Sequence, residues 1–249
     1  MSGHSKWSSI KHKKAAQDSK RGKVFTKLIR EVTAAARRGG GDPDANPRLR
    51  LVLTQARASN VPNDTIQRAI AKGTGDTDGA DFEEVIYEGY GPASVAVVIE
   101  ALTDNRNRTA SIIRALFTKA NGNLGSTNSV QYMFDRKGTF RVPKDAVDEE
   151  ALTEHVLEAG GDDLEDDGDA WLVTCSLEQF DAVKTYLENQ GLPLESAELQ
   201  RLPQTLVTID DAESAQKVIT FLENLEEEDD VQKVFSNFDV DEQVLAQLA

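Results

Sequence analysis

Residues 162–175 read DDLEDDGDAWLVTC, and this stretch decides how the second half of the chain folds. The acidic run Asp162–Asp166 is followed by the dipeptide Asp167-Gly168 and then by the apolar run Ala170–Cys175. Asp-Gly between two short strand-forming runs is a strong signal for a two-residue hairpin loop. The stretch therefore predicts two antiparallel strands joined at Asp167-Gly168.

Strand and helix patterns alternate on both sides of this hairpin. Before it we predict a strand at 138–142 and a helix at 147–159. After it we predict a helix around 180–187 and a strand at 194–202. The order strand, helix, strand, strand, helix, strand is that of the ferredoxin-like unit, which we assign to residues 137–203.

Further elements flank this unit. They are predicted strands at 85–90, 95–102, 130–134, 206–209 and 231–238 and helices at 108–120 and 212–225. The simplest arrangement joins residues 81–136 and 204–240 into one α+β domain, with the ferredoxin-like domain inserted in it. The acidic run Glu226–Asp230 is predicted to be a solvated turn.

Three short helices are predicted near the N-terminus. The first begins at Val24 and ends at Gly39-Gly40-Gly41, because glycine readily takes the left-handed conformation that follows a helix. Asn46-Pro47 starts the second, since Asn caps exposed N–H groups and Pro suits a first turn. Asn60-Val61-Pro62 starts the third, and Gly73 is predicted to stop it. The fold class is therefore α+β, with an N-terminal three-helix domain and a basic arm before two α+β domains.

The first of these helices has two unlike faces. From Val24 to Ala35 the apolar residues recur with the helical period and fall on one side. Lys23, Lys27 and Arg30 project on the opposite side. One face is thus predicted to pack, and the other to meet phosphate.

Charge is divided unequally along the chain of 249 residues, which has a net charge of −15. Residues 1–75 carry 16 Lys and Arg against 5 Asp and Glu, whereas residues 76–249 carry 12 against 38. Such asymmetry favours a basic segment that binds a polyanion and an acidic remainder that repels it. A solvated basic face is the alternative interpretation. We predict that the basic helical domain, residues 1–76, binds nucleic acid.

The arm before the first helix is too polar to form a core of its own. It contains the clusters Lys6–Lys14 and Lys20–Lys23. One interpretation is a flexible arm that becomes ordered on phosphate, with Trp7 stacked on a base. The other is a disordered basic tail with Trp7 tucked onto the helices.

Patterns for other chemistry are weak. Lys72–Gly75 lacks the spacing of a phosphate-binding loop. The segment from Asp163 mimics half a calcium loop, but Thr174 stands where a bidentate Glu is needed. Cys175 ends an apolar strand and has no evident base, which is typical of a buried residue. We therefore expect no catalytic residues, no metal, no cofactor and no enzymatic activity.

The sequence also bears on location. The first residues contain no apolar segment of the kind that begins a secretory signal, and no apolar run approaches the length of a membrane span. We therefore expect a cytoplasmic protein without a membrane partner.

The segment Thr103–Thr109 leads into a predicted helix, whose N-terminal N–H groups favour anions. Arg106 and Arg108 are therefore candidates for a second phosphate contact. Ordinary capping by Asn and Asp beside exposed arginines is the alternative.

Several long motifs resemble the YebC/PmpR family. They are Gly3–Trp7, Ile10–Lys14, Lys20–Lys23, Asn46–Arg50, Tyr87–Pro92 and Leu102–Thr109. The resemblance covers nearly the whole chain and implies a helical N-terminal domain followed by two α+β domains. Members of the family are regarded as DNA-binding transcriptional regulators. Mitochondrial relatives act as translational activators, and a bacterial branch is linked to translation on the ribosome.

The resemblance also implies a set of basic residues that bind nucleic acid. They are Lys6, Lys11, Lys13, Lys14, Lys20, Arg21, Lys23, Arg48 and Arg50. The chain departs from the family at Asn121 and Asn128, where glycines are usual, and at Asn63, where a Lys is usual. Asn also tolerates left-handed backbone angles, so the turn is expected to survive.

We therefore predict a non-enzymatic nucleic-acid-binding regulator, and specifically a DNA-binding regulator of transcription. The alternative is a translation factor or activator that binds ribosomal RNA, because phosphate contacts carry little sequence information. The target genes, any small ligand and the oligomeric state stay open.

Overall fold

The structure, a computed structural model, describes residues 21–75, 82–241 and 243–244. Within these residues the N-terminal part is helical, and the remainder combines helices with mainly antiparallel sheets. The predicted α+β fold class is confirmed.

The helical part consists of α1 (Arg21–Gly39), α2 (Pro47–Ala58) and α3 (Asn63–Thr74). The helices enclose a small core in which Leu49 and Ile66 are almost completely buried. Because so small a core buries little apolar surface, contacts with the rest of the chain matter for the stability of this part.

The apolar stripe of α1 packs as its sequence pattern predicts, except at its first residue. Val32, Ala35 and Ala36 are buried, but Val24 is 42% exposed. Phe25, Leu28 and Ile29 are partly buried against the same small core, so the stripe packs from the second turn of α1 onward.

The predicted junction between α1 and α2 is confirmed. The Asn46 side chain accepts a hydrogen bond from the Leu49 N–H (3.1 Å) and donates to the carbonyls of Ala35 and Gly40 (both 2.9 Å). Gly40 has a φ of 85°, the left-handed conformation expected after a helix. One side chain thus caps α2 and fixes it to the end of α1.

Gly73 does not stop α3, which was the prediction, but lies inside the helix, which continues to Thr74. A Cβ atom built at Gly73 would lie 2.5 Å from the Thr33 carbonyl oxygen and 2.8 Å from the Ala36 Cβ. The glycine is therefore required by the close approach of α3 to α1.

We expect Gly73→Ala to destabilise the protein by about 1–3 kcal/mol, because the added methyl group overpacks a helix crossing. Gly22→Ala is the matched control, since Gly22 also lies in a helix and has nothing within 4 Å of its Cβ position. There alanine should be neutral or stabilising by up to about 1 kcal/mol. Urea unfolding of both variants measures the difference. Equal stabilities would show that α1 and α3 can separate at no cost.

The first sheet has the order β3-β1-β2-β9, and its strands are antiparallel. These strands are Asn123–Leu124 (β3), Glu83–Tyr90 (β1), Ala96–Thr103 (β2) and Val231–Ser236 (β9). Two helices, α4 (Arg106–Lys119) and α7 (Ala212–Glu227), cover one face of the sheet. Phe117 of α4 meets Phe221 of α7 edge to face, with ring centroids 4.9 Å apart.

A short parallel pair completes this part of the chain. It joins β8 (Val207–Ile209) to β10 (Phe238–Val240). The strand predicted over 231–238 is thus divided at Asn237, whose side chain is buried and accepts a hydrogen bond from the Ala96 N–H (2.8 Å).

The second sheet has the order β5-β6-β4-β7 and is antiparallel throughout. Its strands are β4 (Phe134–Pro143), β5 (Asp163–Asp167), β6 (Ala170–Cys175) and β7 (Ser196–Pro203), and its helices are α5 (Glu149–Ala159) and α6 (Phe180–Asn189). The element order is the predicted ferredoxin-like one. The strand predicted over 130–134 is wrong: residues Gln131–Met133 form a 3₁₀ turn that leads into β4.

The hairpin between β5 and β6 exists, but its loop is shifted by one residue. Asp167 pairs with Ala170, so the two loop residues are Gly168 and Asp169. Only the first of them has a positive φ, 78° at Gly168, which is the glycine position of a II′ turn.

We propose the domain division that the sequence predicts, with residues 137–203 inserted between 81–136 and 204–240. The first sheet takes its strands from the two outer ranges alone, and the main cores of the two sheets share no residue.

An isolated fragment of residues 134–203, which includes all of β4, should therefore unfold in one cooperative transition and give dispersed amide shifts. A spectrum without dispersion would contradict the division.

Candidate nucleic-acid interface

The predicted cations of α1 contact the end of α7. The Lys23 Nζ donates to the Glu227 carbonyl (3.1 Å), the Lys27 Nζ to the Glu226 carbonyl (2.5 Å) and the Arg30 guanidinium to the Asp229 carbonyl (2.8 Å). Carbonyl groups at a helix C-terminus lack intrahelical partners and carry partial negative charge. We call residues Glu226–Asp230 the acidic turn. It was predicted to be solvated, but it binds the cationic face of α1.

Asp230 is the centre of this contact. Its side chain is nearly buried, with one oxygen accepting from Arg30 (2.9 Å) and the other from Arg108 (2.8 Å), Thr109 (2.7 Å) and Thr103 (3.2 Å). Burial by itself would raise the pKa of Asp230, but the hydrogen bonds from Arg108 and Thr109 and the charge of Arg30 outweigh it and lower that pKa. The two predicted contact sites, on α1 and on α4, therefore meet at one carboxylate.

The predicted cations of α2 face a strand of the first sheet and a helix that covers the second. Arg48 forms an ion pair with Glu84 at the start of β1, and Arg38 approaches the same carboxylate at 2.7 Å. Arg50 lies 3.8 Å from Asp181 of α6. The side chains of Arg48 and Arg50 stay 39% and 48% exposed. Ion pairs this exposed contribute about 0–1 kcal/mol, so phosphate can replace the carboxylate at little cost.

The remaining predicted residues lie outside the described part of the chain. They are Lys6, Trp7, Lys11, Lys13, Lys14 and Lys20. Arg21 begins α1, but its side chain is not among those described.

Sequence reasoning missed Arg114 and Lys119, which lie further along α4. Both are exposed, as are Arg106 and Arg108 on the first turn. The available signal was the composition of the helix: RNRTASIIRALFTK contains four cations and no carboxylate, in the acidic part of the chain.

A buried carboxylate of β1 holds the loop that follows β3. Glu88 is 2% exposed and accepts hydrogen bonds from the backbone N–H groups of Asn128 (2.7 Å), Val130 (3.0 Å) and Gln131 (3.0 Å). Burial raises the pKa of Glu88, but these hydrogen bonds lower it more. The carboxylate organises the loop that follows β3.

The two asparagines on either side of β3 adopt the predicted backbone conformation. Asn121 has a φ of 55° and Asn128 a φ of 65°, both left-handed. The expectation that the turn survives without its usual glycines is confirmed, because Asn tolerates this region.

Two further titratable side chains, Cys175 and His155, lie in the ferredoxin-like unit. Cys175 is buried, and burial raises the pKa of its thiol to about 11, so it stays protonated at neutral pH. The His155 ring lies 3.3 Å from the Tyr186 hydroxyl. Within the described residues there is no grouping of His, Cys, Asp and Glu suited to a metal ion, and no helix there is long and apolar enough to cross a membrane.

Two family models together match most of the chain. The model of the TACO1/YebC protein N-terminal domain matches residues 5–76, and that of the TACO1/YebC second and third domain matches residues 82–238.

Curated proteins are similar along the full length. One from Rubrobacter xylanophilus is 53% identical and one from Persephonella marina is 50% identical, each over 250 residues with 100% of both chains covered. Both are named probable transcriptional regulatory proteins.

A solved structure is also similar. The crystal structure of a conserved hypothetical protein from Aquifex aeolicus is 48% identical, with a TM-score of 0.83. The match covers 92% of this chain and 94% of that one.

Proposed function

Because the chain belongs to the TACO1/YebC family, we propose that it is a non-enzymatic, cytoplasmic DNA-binding regulator of transcription that binds phosphate through residues 1–76. The names of its relatives support the regulatory role. One observation carries the proposed mode of binding: 16 of the 28 Lys and Arg residues lie in the first 75 positions. Neutralising phosphates with such cations releases counterions and supplies most of the affinity of non-specific binding.

The binding step differs between the arm and α1. The arm supplies Lys6, Lys11, Lys13 and Lys14, with Trp7 as a stacking residue. On α1, phosphate oxygens must take the places now held by the carbonyls of the acidic turn. A phosphate oxygen is the stronger acceptor because its bond to a cation is charge-assisted on both sides. Binding along α1 therefore exchanges one set of acceptors for another.

Salt dependence and a deletion test this proposal together. If 5–8 cations contact phosphates, the log–log slope of affinity against salt on duplex DNA should be roughly −4 to −7. Residues 77–249 alone should show almost no binding, while the full chain binds. A flat salt dependence, or tight binding by residues 77–249, would contradict the proposal.

Crosslinking in cells identifies the physiological nucleic acid. Recovery of promoter DNA is the expected result. Recovery of ribosomal RNA instead would favour the translation role. The experiment is needed because both polymers present the same phosphate charge.

A further inference from the structure

We propose that the exposed face of α4 is a second phosphate-binding surface, which contacts the same nucleic acid as the N-terminal segment. The inference rests on the proposed function and extends it into the acidic part of the chain. Residues 76–249 contain 12 cations against 38 carboxylates, and 4 of those cations lie on this one helix. They are Arg106, Arg108, Arg114 and Lys119. By contrast, α5 carries four Glu and no Lys or Arg.

The packing of α4 directs these charges outward. Its buried side chains, Thr109, Ile113 and Phe117, follow the helical period and face the core of the first sheet. Arg114 and Lys119 are exposed and lie on the two flanks of the helix, at the edges of the neutral strip that faces away from the core. An elongated anion can therefore lie along the helix between them without meeting a carboxylate of α4.

The cations of α4 differ in what they already contact. Arg108 is held by Asp104 (2.7 Å) and Asp230 (2.8 Å). Arg114 and Lys119 form no ion pair with a carboxylate of the described residues. Elsewhere on the helices of the acidic part, Lys184 and Lys217 each pair with a Glu one turn away. A phosphate at Arg114 or Lys119 thus displaces no described carboxylate.

The position of α4 connects this surface to α1. Arg30 of α1 and Arg108 of α4 bind opposite oxygens of the Asp230 carboxylate. Along α4, Arg114 lies about 9 Å beyond Arg108, and Lys119 about 7.5 Å beyond Arg114, at 1.5 Å per residue. The first turn of α4 therefore lies beside the cationic face of α1, so a duplex that binds α1 can continue along α4.

The occupant we assign is the backbone of the bound nucleic acid and not an acidic protein. Once the N-terminal segment holds the polymer, the contact with α4 is intramolecular and benefits from a high effective concentration. Weak contacts at exposed cations then add to the affinity for the nucleic acid. A separate acidic protein would not have this high effective concentration.

Charge reversal at α4 tests the inference in the full-length protein. Arg114→Glu with Lys119→Glu should lower the affinity for duplex DNA about tenfold or more at low salt and make the salt slope shallower by about 2, because two phosphate contacts are lost. Since both side chains are exposed, circular dichroism and the melting midpoint should stay unchanged.

Lys184→Glu with Lys217→Glu is the matched control, because it changes the net charge equally on α6 and α7. We expect it to change the affinity no more than about twofold through long-range repulsion. An equal loss in both double variants would overturn the inference, since the effect would then come from net charge. The inference would also be overturned if the α4 variant kept its DNA affinity but lost a co-purifying acidic protein. If the wild type still binds DNA, the proposed function is unaffected by either result. If the wild type does not bind DNA, both the proposed function and the inference about α4 are wrong.

Discussion

Charge reversal of Lys11, Lys13 and Lys14 is expected to lower the affinity of the full chain for duplex DNA by about 100-fold or more at low salt. Three attractive contacts with phosphate become repulsive, and the salt slope becomes shallower by about 3. The melting midpoint should stay unchanged, because this polar arm is not expected to contribute to a core. Fluorescence anisotropy over a salt series, with a thermal melt of the same samples, measures both quantities.

The comparison variant is Lys23→Glu with Lys27→Glu on α1. The lysines contact the carbonyls of Glu227 and Glu226, so glutamates there would face the negative end of α7. We expect this variant to lose both affinity and stability, the latter by about 1–2 kcal/mol. If the arm variant binds DNA normally while it remains folded, the basic segment is a solvated surface and the proposed binding site is wrong.

Asp230→Asn is expected to destabilise the protein by about 2–4 kcal/mol at pH 7. The substitution keeps the shape but removes the charge that Arg30, Arg108 and Thr109 share, and it places an amide N–H group among donors. Asp229→Asn is the control, because Asp229 is exposed and uses its carbonyl, not its side chain, to bind Arg30. That change should stay within about 0.5 kcal/mol.

The difference between wild type and Asp230→Asn should also depend on pH. The pKa of Asp230 is lower in the folded protein than in the unfolded chain, so its stabilising contribution is complete above the unfolded pKa of about 3.9. The contribution is lost as the pH falls through the folded pKa. Urea unfolding at pH 7 and below pH 3.5 should therefore show a large difference that shrinks in acid. A difference independent of pH would show that the carboxylate acts through packing and not through its charge.

Much of the fold was predictable because its signals are local. Asn46-Pro47 caps and starts α2 through a bond to Leu49, three residues ahead. The ferredoxin-like order followed from alternating strand and helix patterns around one Asp-Gly pair. The loop was predicted at Asp167-Gly168 and lies at Gly168-Asp169. The error of one residue arose because Asp-Gly and Gly-Asp both suit two-residue hairpin loops.

The candidate site was predictable in composition but not in its contacts. Lys23, Lys27 and Arg30 were predicted to share one exposed face of α1, and they do share one face. Their partner, the acidic turn, lies about 200 residues further along the chain, where periodicity carries no information. The same holds for Gly73, whose spacing suggested a helix stop but whose role is contact with Thr33 of α1.

By itself the sequence determined the starts of α2 and α3, the order of elements in the ferredoxin-like unit and the separation of a basic segment from an acidic remainder. Each of these depends on residue type and on spacing over a few turns. Only the tertiary structure decided that Asp230 joins Arg30 of α1 to Arg108 of α4, and that Arg48 pairs with Glu84. The reason is physical: a charge pairs with whatever the folded chain brings within about 4 Å, and distant parts of the sequence meet only when the cores have formed.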